Sequence, residues 1–150
     1  AQESRGLGDV YKRQLHAVQG APDAAHRAAL DADPEADTFG PEAVRGMYEN
    51  YLGGPVSAAE VYAVPGTASP AQLSHFPATI MINGEVDELR VSGEAFGALL
   101  RDAGIALDIS TEPGTRHGHL NQPELAAATA SIDRFAARIL ATSSEHKEQS

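Results

Sequence analysis

The chain has 150 residues, with 21 acidic and 11 basic side chains, a formal net charge of −10 and no cysteine. This length suits one ordinary domain, the negative charge opposes binding to nucleic acid, and the lack of cysteine excludes disulfides, zinc–thiolate sites and a cysteine nucleophile. No apolar run approaches the roughly 18 residues of a membrane span, and no signal peptide is visible, so a cytoplasmic location is expected.

The chain begins with AQESRGLGDVYKRQ at residues 1–14, without an initiator methionine. The piece RGLGDVYKRQ resembles translated adapter sequence at the broken ends of assembled environmental genes. We therefore expect residues 1–14 to be foreign to the protein and exclude them from the fold. The folded domain is expected over residues 15–141, and TSSEHKEQS at 142–150 is expected to be a polar, frayed tail.

The first half of the chain carries few regular elements. Residues 15–20, LHAVQG, are compatible with a short strand, and DAAHRAAL with one or two turns of helix. PEAVRGMYENYL predicts a helix over residues 41–52, with proline at its start and a Gly-Gly stop after it. Its apolar stripe is Val44, Met47, Tyr48, Tyr51 and Leu52. Residues 55–77 are punctuated by prolines and predict a loop.

The second half predicts strand–helix–strand–helix. ATIMIN at 78–83 is a continuous apolar run typical of a strand covered on both faces. VSGEAFGALLRDAG at 91–104 is an amphipathic helix, and IALDIST at 105–111 alternates like an edge strand. The two strands should be parallel, because a helix connects them through short loops.

The last helix is predicted to start at Asn121 as the N-cap, with Pro123 in its first turn and Glu124 completing a capping box. Its apolar stripe is Leu125, Ala128, Ile132, Phe135, Ala136, Ile139 and Leu140.

Two chemistry-bearing residues follow the two predicted strands. Asp87 lies just after the strand at 78–83, and His117 lies just after the strand at 105–111. Because the carboxyl ends of parallel strands meet at one edge of the sheet, these residues should lie close together. A carboxylate that accepts from imidazole Nδ1–H fixes the tautomer, which leaves Nε2 to take a proton from a nucleophile.

The segment FPATIMINGEVDELRVSGEAFGALLRDAGIALDISTEPGTRHGHLN resembles the C-terminal part of an α/β-hydrolase over residues 76–121. It is most similar to the esterase and lipase branch that includes the hormone-sensitive-lipase-like enzymes. The resemblance implies a partial α/β-hydrolase fold, with the last parallel strands of the sheet and flanking helices. It also implies a serine carboxylic ester hydrolase with Asp87 as triad acid and His117 as triad histidine. A small-molecule ester is the implied substrate, with no cofactor and no metal.

Two features depart from that branch. His119 stands where the family's H-G-F motif has its aromatic residue, so we expect His119 to line the substrate pocket. None of the ten serines lies in the nucleophile motif G-x-S-x-G. We therefore expect that the gene is cut between the nucleophile and residue 15, and that these 150 residues alone are inactive.

Other interpretations of the same residues stay open. Asp87 could simply cap the following helix, and His117 could be an ordinary loop histidine. His117 and His119 could share a metal ion with Glu85, Asp87 or Glu112 in a non-catalytic module. A peptidase of the same fold is the alternative enzyme. Glu85 and Glu88 are expected to be solvated, although Glu88 could approach the site, and His16, His26, His75 and His146 carry no assignment.

Overall fold

A computed structural model describes residues 21–36 and 39–148 of the chain. The predicted strand at 15–20 and the adapter-like segment at 1–14 lie outside the described residues. The described residues divide into two compact units, the first lying within residues 21–117 and the second within residues 118–148. In the part of the chain that is described, no helix combines the length and apolarity that a membrane crossing needs.

The first unit contains a parallel strand–helix–strand motif. Strand β1 (Thr79–Gly84) pairs with strand β2 (Leu107–Glu112) in parallel, with Thr79 opposite Leu107 and Gly84 opposite Glu112. Helix α3 (Arg90–Asp102) connects them. It lies so close to the sheet that a Cβ added at Gly97 would lie 2.9 Å from Cδ1 of Ile109. These elements confirm the predicted α/β class, with each boundary shifted by one or two residues.

Two helices precede this motif. Helix α1 (Ala24–Ala32) begins at Asp23, whose side chain accepts from the backbone N–H of His26. Helix α2 (Pro41–Leu52) has the predicted bounds and ends at Gly53, which has a φ of 67°. The predicted packing stripe of α2 is wrong at Met47 and Tyr51, which are 45% and 75% exposed. Val44 and Tyr48 of the same stripe are buried, as predicted.

The proline-rich stretch at 55–77 contributes to the core of the first unit. It contains two 3₁₀ turns, Val56–Ala58 and Pro65–Thr67, in place of regular helices or strands. Val64 packs fully buried with Val44 and Tyr48 of α2. Buried residues of the same stretch also pack against α3, in a cluster formed by Ala68, Leu73, Phe96 and Leu100. The stretch is irregular because its prolines remove backbone donors, yet its apolar side chains are core residues.

The second unit contains a 3₁₀ turn at His119–Asn121 and helix α4 (Ala126–Glu148). The capping box predicted at Asn121 is wrong. The N–H of Asn121 donates to the Gly118 carbonyl at 2.9 Å, so Asn121 belongs to the 3₁₀ turn and is not an extended N-cap. Helix α4 continues past residue 141 into the predicted frayed tail, since no glycine or proline interrupts residues 126–148.

The buried face of α4 differs from its predicted stripe. Ala128 is fully buried as predicted, but Ile132 and Leu140 are 50% and 68% exposed, and Ser131, which is not in the predicted stripe, is fully buried. A serine occupies the inner face because its hydroxyl lies 3.0 Å from Nε2 of His119, which provides it with a hydrogen-bond partner.

Candidate active site

The loops that follow the two strands lie side by side. We call residues 85–89 the acid loop and residues 113–117 the histidine loop. The N–H of Glu85 donates to the Glu112 carbonyl at 3.2 Å, and the N–H of Val86 donates to the Thr115 carbonyl at 2.9 Å. The Glu85 carboxylate also accepts from the Gly114 N–H at 2.8 Å. Glu85 therefore joins the two loops, although its sequence position predicted a solvated side chain.

Gly84 permits the close approach of the two loops. A Cβ at this position would lie 3.0 Å from the carbonyl oxygen of Thr115 and 3.1 Å from that of Arg116. Both neighbours are backbone atoms of the histidine loop, which have little freedom to move aside. The absence of a side chain at the end of β1 therefore determines how near the histidine loop comes to the acid loop.

The two loops bring Asp87 and His117 into contact. Oδ2 of Asp87 lies 2.8 Å from Nδ1 of His117, and Oδ1 accepts from the N–H of Leu89 at 2.9 Å. Asp87 is 8% exposed, while the side chain of His117 keeps 27% of its surface accessible. One carboxylate oxygen thus fixes the turn into α3, and the other pairs with the imidazole. Asp87 does not cap α3, which has no side-chain cap, so the capping interpretation is wrong, and the catalytic role of the Asp87–His117 contact stays a prediction.

Phe39 and Glu88 complete the immediate surroundings of the pair. The Phe39 ring meets the His117 ring edge-on, with centroids 5.5 Å apart and an interplanar angle of 69°. The N–H of Phe39 donates to Glu88 at 2.6 Å, and Arg27 lies 3.3 Å from the other oxygen of that carboxylate. The expectation that Glu88 is solvated is wrong, because its side chain is 13% exposed. It is held in place by Phe39, whose ring contacts His117.

Sequence and structural comparisons identify the protein family of this chain. The sequence matches the family described as "alpha/beta hydrolase fold" over residues 12–121. The chain belongs to the α/β-hydrolase fold family. No curated protein matches it significantly by sequence.

Solved esterase structures are similar to the chain. Carboxyl esterase 2 of the mycorrhizal fungus Tuber melanosporum aligns with a TM-score of 0.64 and 26% identity, over 83% of this chain and 41% of its own. The Pyrobaculum calidifontis esterase aligns with a TM-score of 0.63 and 25% identity, over 86% of this chain and 41% of its own. Esterase LipW of Mycobacterium marinum aligns with a TM-score of 0.59 and 25% identity, over 75% of this chain and 35% of its own. This α/β-hydrolase chain therefore spans less than half the length of these esterases.

Arg116 ties the histidine loop to the end of α1. Its Nε and Nη2 each lie 2.8 Å from an oxygen of Asp33, and its Nη1 bonds to Glu35. The hydrogen bond to Asp33 raises the pKa of Arg116, and the same bond lowers the pKa of the Asp33 carboxyl below its ordinary value. The sequence signal for this contact is weak: a basic residue beside the histidine and an acid-rich stretch, DADPEAD, at 31–37.

His26 also contacts the acid loop, although the sequence analysis assigned it no role. It is 2% exposed, and its Nε2 lies 3.0 Å from the backbone oxygen of Asp87. These residues are separated by 61 positions, and no periodicity or motif connects them. The sequence offered no signal for this contact.

His119 belongs to the second unit, where its ring meets helix α4. It is 6% exposed within the second unit, where its ring meets Ser131. Its role in lining a substrate pocket stays a prediction. Within residues 21–36 and 39–148, no three imidazole or carboxylate groups lie close enough together to hold a metal ion, so the metal-binding alternative gains no support from geometry.

Proposed function

We propose that this chain supplies the acid and the general base of a serine carboxylic ester hydrolase, with Asp87 as the acid and His117 as the base. The observation that carries the proposal is the 2.8 Å contact between Asp87 Oδ2 and His117 Nδ1, at the carboxyl ends of two parallel strands. That edge of an α/β sheet is where chemistry is usually located. The similarity to structures described as esterases supports an ester as the substrate.

In the proposed mechanism a serine hydroxyl attacks the acyl carbon of a small or medium acyl ester. His117 takes the hydroxyl proton on Nε2 and later delivers it to the departing alcohol. Asp87 holds the imidazole with its proton on Nδ1 and stabilises the positive charge that develops on the ring. We further propose His119 as a wall of the acyl or alcohol pocket. No metal or cofactor takes part in these steps.

The serine belongs to the part of the fold that this chain does not supply. None of the ten serines lies in the G-x-S-x-G turn that exposes the nucleophile in this family. The backbone donors that stabilise the oxyanion would come from the same missing part. The chain alone is therefore expected to be inactive toward esters.

Hydrolysis of p-nitrophenyl butyrate tests the proposal. We would compare the 150-residue chain with the product of the same reading frame extended upstream of residue 15. The extended protein should hydrolyse the ester, and either His117→Ala or Asp87→Ala should lower kcat by about 10⁴-fold or more. His75→Ala is the matched control, because His75 is an exposed histidine of the 55–77 stretch.

Two results would contradict the proposal. Activity of the extended protein that survives both His117→Ala and Asp87→Ala would exclude the assigned acid and base. Activity of the 150-residue chain itself, lost in His117→Ala, would place a nucleophile within these residues and refute the assignment of the serine.

A further inference from the structure

Helix α1 holds the acid loop through two consecutive side chains. His26 contacts the backbone oxygen of Asp87 at 3.0 Å, and Arg27 contacts the carboxylate of Glu88 at 3.3 Å. The helix is anchored at its first turn, where Asp23 Oδ1 accepts from the His26 N–H at 2.8 Å. A buried ring on a capped turn is a rigid contact, whereas Arg27 is 45% exposed and contributes less.

The proton on the His26 ring is located by its partner. A carbonyl oxygen accepts and cannot donate, so Nε2 of His26 must carry the hydrogen in this contact. Nδ1 is then the acceptor nitrogen, and it is buried without a hydrogen-bond partner among the described residues. Burial of an unpartnered polar atom is unfavourable. An apolar side chain would fill the same space without that cost, so packing alone does not account for a histidine here.

The Asp87 peptide group is fixed from two directions. Its carbonyl accepts from His26 and also from the N–H of Arg90 at 3.0 Å. Its side chain is held by Leu89 through Oδ1. The direction in which Oδ2 points toward His117 follows from this arrangement, since the backbone orientation of Asp87 determines where its short side chain can reach.

We propose that His26 is a positioning residue, which orients Asp87 through its Nε2–H···O=C hydrogen bond so that Asp87 holds His117 as the Nδ1–H tautomer. The catalytic meaning of this role rests on the proposed function. The contact itself is independent of turnover and is measurable in the 150-residue chain.

The tautomer of each histidine ring provides the test. Long-range ¹H–¹⁵N spectra of ¹⁵N-histidine-labelled chain would be recorded at about two pH units above the ordinary imidazole pKa of ~6.5. We expect His117 to be mainly Nδ1–H and His26 to be Nε2–H. His26→Met retains a similar volume without a donor, and it should lower the Nδ1–H to Nε2–H ratio of His117 by about three- to tenfold, the range of one neutral hydrogen bond.

The conservative variant separates positioning from packing. His26→Gln places an amide donor near the position of Nε2, and it should restore most of the His117 ratio that His26→Met loses. His75→Ala should leave the ratio unchanged. A His26→Met chain that keeps its cooperative thermal melt and the wild-type ratio would overturn the proposal.

Three further outcomes separate the role of His26 from that of Asp87. If His26→Met fails to fold, the wild-type spectrum still decides, because a His26 ring in the Nδ1–H form cannot donate to the Asp87 carbonyl. If Asp87→Ala leaves the His117 tautomer unchanged, the acid–base pair and the proposed function both fail. If Asp87→Ala changes the tautomer and His26→Met does not, the role of His26 alone fails.

Discussion

Two regions of the molecule position the Asp87–His117 pair, and they do so in different ways. The strand–helix–strand region at 79–112 places the two loops through backbone pairing, with β1 and β2 in parallel register. The segment formed by residues 23–36 approaches the same loops through side chains: His26 contacts Asp87, Arg27 contacts Glu88, and Asp33 holds Arg116. The first region is specified by local pattern, and the second depends on contacts between residues that are distant in sequence.

This difference separates two properties of the site. Backbone pairing brings the acid and the histidine to one edge of the sheet, which any parallel strand–helix–strand unit does. Side-chain contacts from 23–36 then orient the groups within that edge. Substitutions in the first region should both lower the free energy of unfolding and displace the Asp87–His117 pair. Substitutions in the second region should alter the pair with a smaller loss of stability.

Phe96→Ala should have the largest effect on stability, because it removes a ring from the hydrophobic core of the first region. Phe96 is 2% exposed and packs with Leu73, Leu100 and the Phe76 ring, whose centroid lies 5.6 Å away. Loss of this ring should lower the free energy of unfolding by about 3–5 kcal/mol. Urea denaturation followed by circular dichroism measures the change. Tyr62→Ala is the control, since Tyr62 is 93% exposed and its loss should stay within about 0.5 kcal/mol. Equal effects of the two substitutions would contradict the packing.

The first region was predictable because its signals are short-range. An apolar run, an amphipathic period and a second apolar run specify β1, α3 and β2, and each was placed within about two residues. Asp87 and His117 could be predicted as neighbours because parallel strands end at one edge. Their assignment as an acid–base pair came from the family resemblance, since a lone aspartate after a strand more often serves a turn.

The side-chain contacts of the second region could not be predicted from the sequence, and the reason is physical. Arg116 and Asp33 are 83 positions apart, and a single charge pair leaves no periodic trace in either segment. Periodicity also identified the buried side of a helix only in part, since Tyr48 is buried as predicted whereas Tyr51 and Ile132 are exposed. The inner face of α4 holds Ser131 instead, because a buried imidazole provides a partner for its hydroxyl.

Gly84→Ala should have an intermediate effect on stability, because Gly84 lies where the acid loop and the histidine loop approach each other closely. The added methyl group would meet the carbonyl oxygens of Thr115 and Arg116 at 3.0 and 3.1 Å, and we expect a loss of about 1–3 kcal/mol. The displacement of the histidine loop should also reduce the Nδ1–H tautomer of His117. Gly46→Ala is the matched control in α2, where an added Cβ would meet no group beyond its chain neighbours and the helix's own backbone within 4 Å, and it should stabilise the chain by up to about 1 kcal/mol. A Gly84→Ala chain as stable as Gly46→Ala would mean that the loops are not in contact.

Arg116→Gln should have the smallest effect on stability, because the contacts of Arg116 with Asp33 and Glu35 lie at the surface, where solvent and salt screen charges.

The effect of Arg116→Gln on the titration of Asp33 should still be measurable. The hydrogen bond from Arg116 lowers the pKa of Asp33 from its ordinary value of 3.8, so the stabilisation is present above that pH and is lost as the pH falls through the lowered value. The ¹³Cγ shift of Asp33 should therefore titrate below pH 3.8 in the wild type and closer to 3.8 in Arg116→Gln. Arg101→Gln, in α3 of the same unit, should leave this midpoint in place, because Arg116 is the arginine that lowers the pKa of Asp33. An Asp33 midpoint that is the same with and without Arg116 would show that the second region does not hold the histidine loop through this pair, and would leave the contacts of His26 and Arg27 with the acid loop.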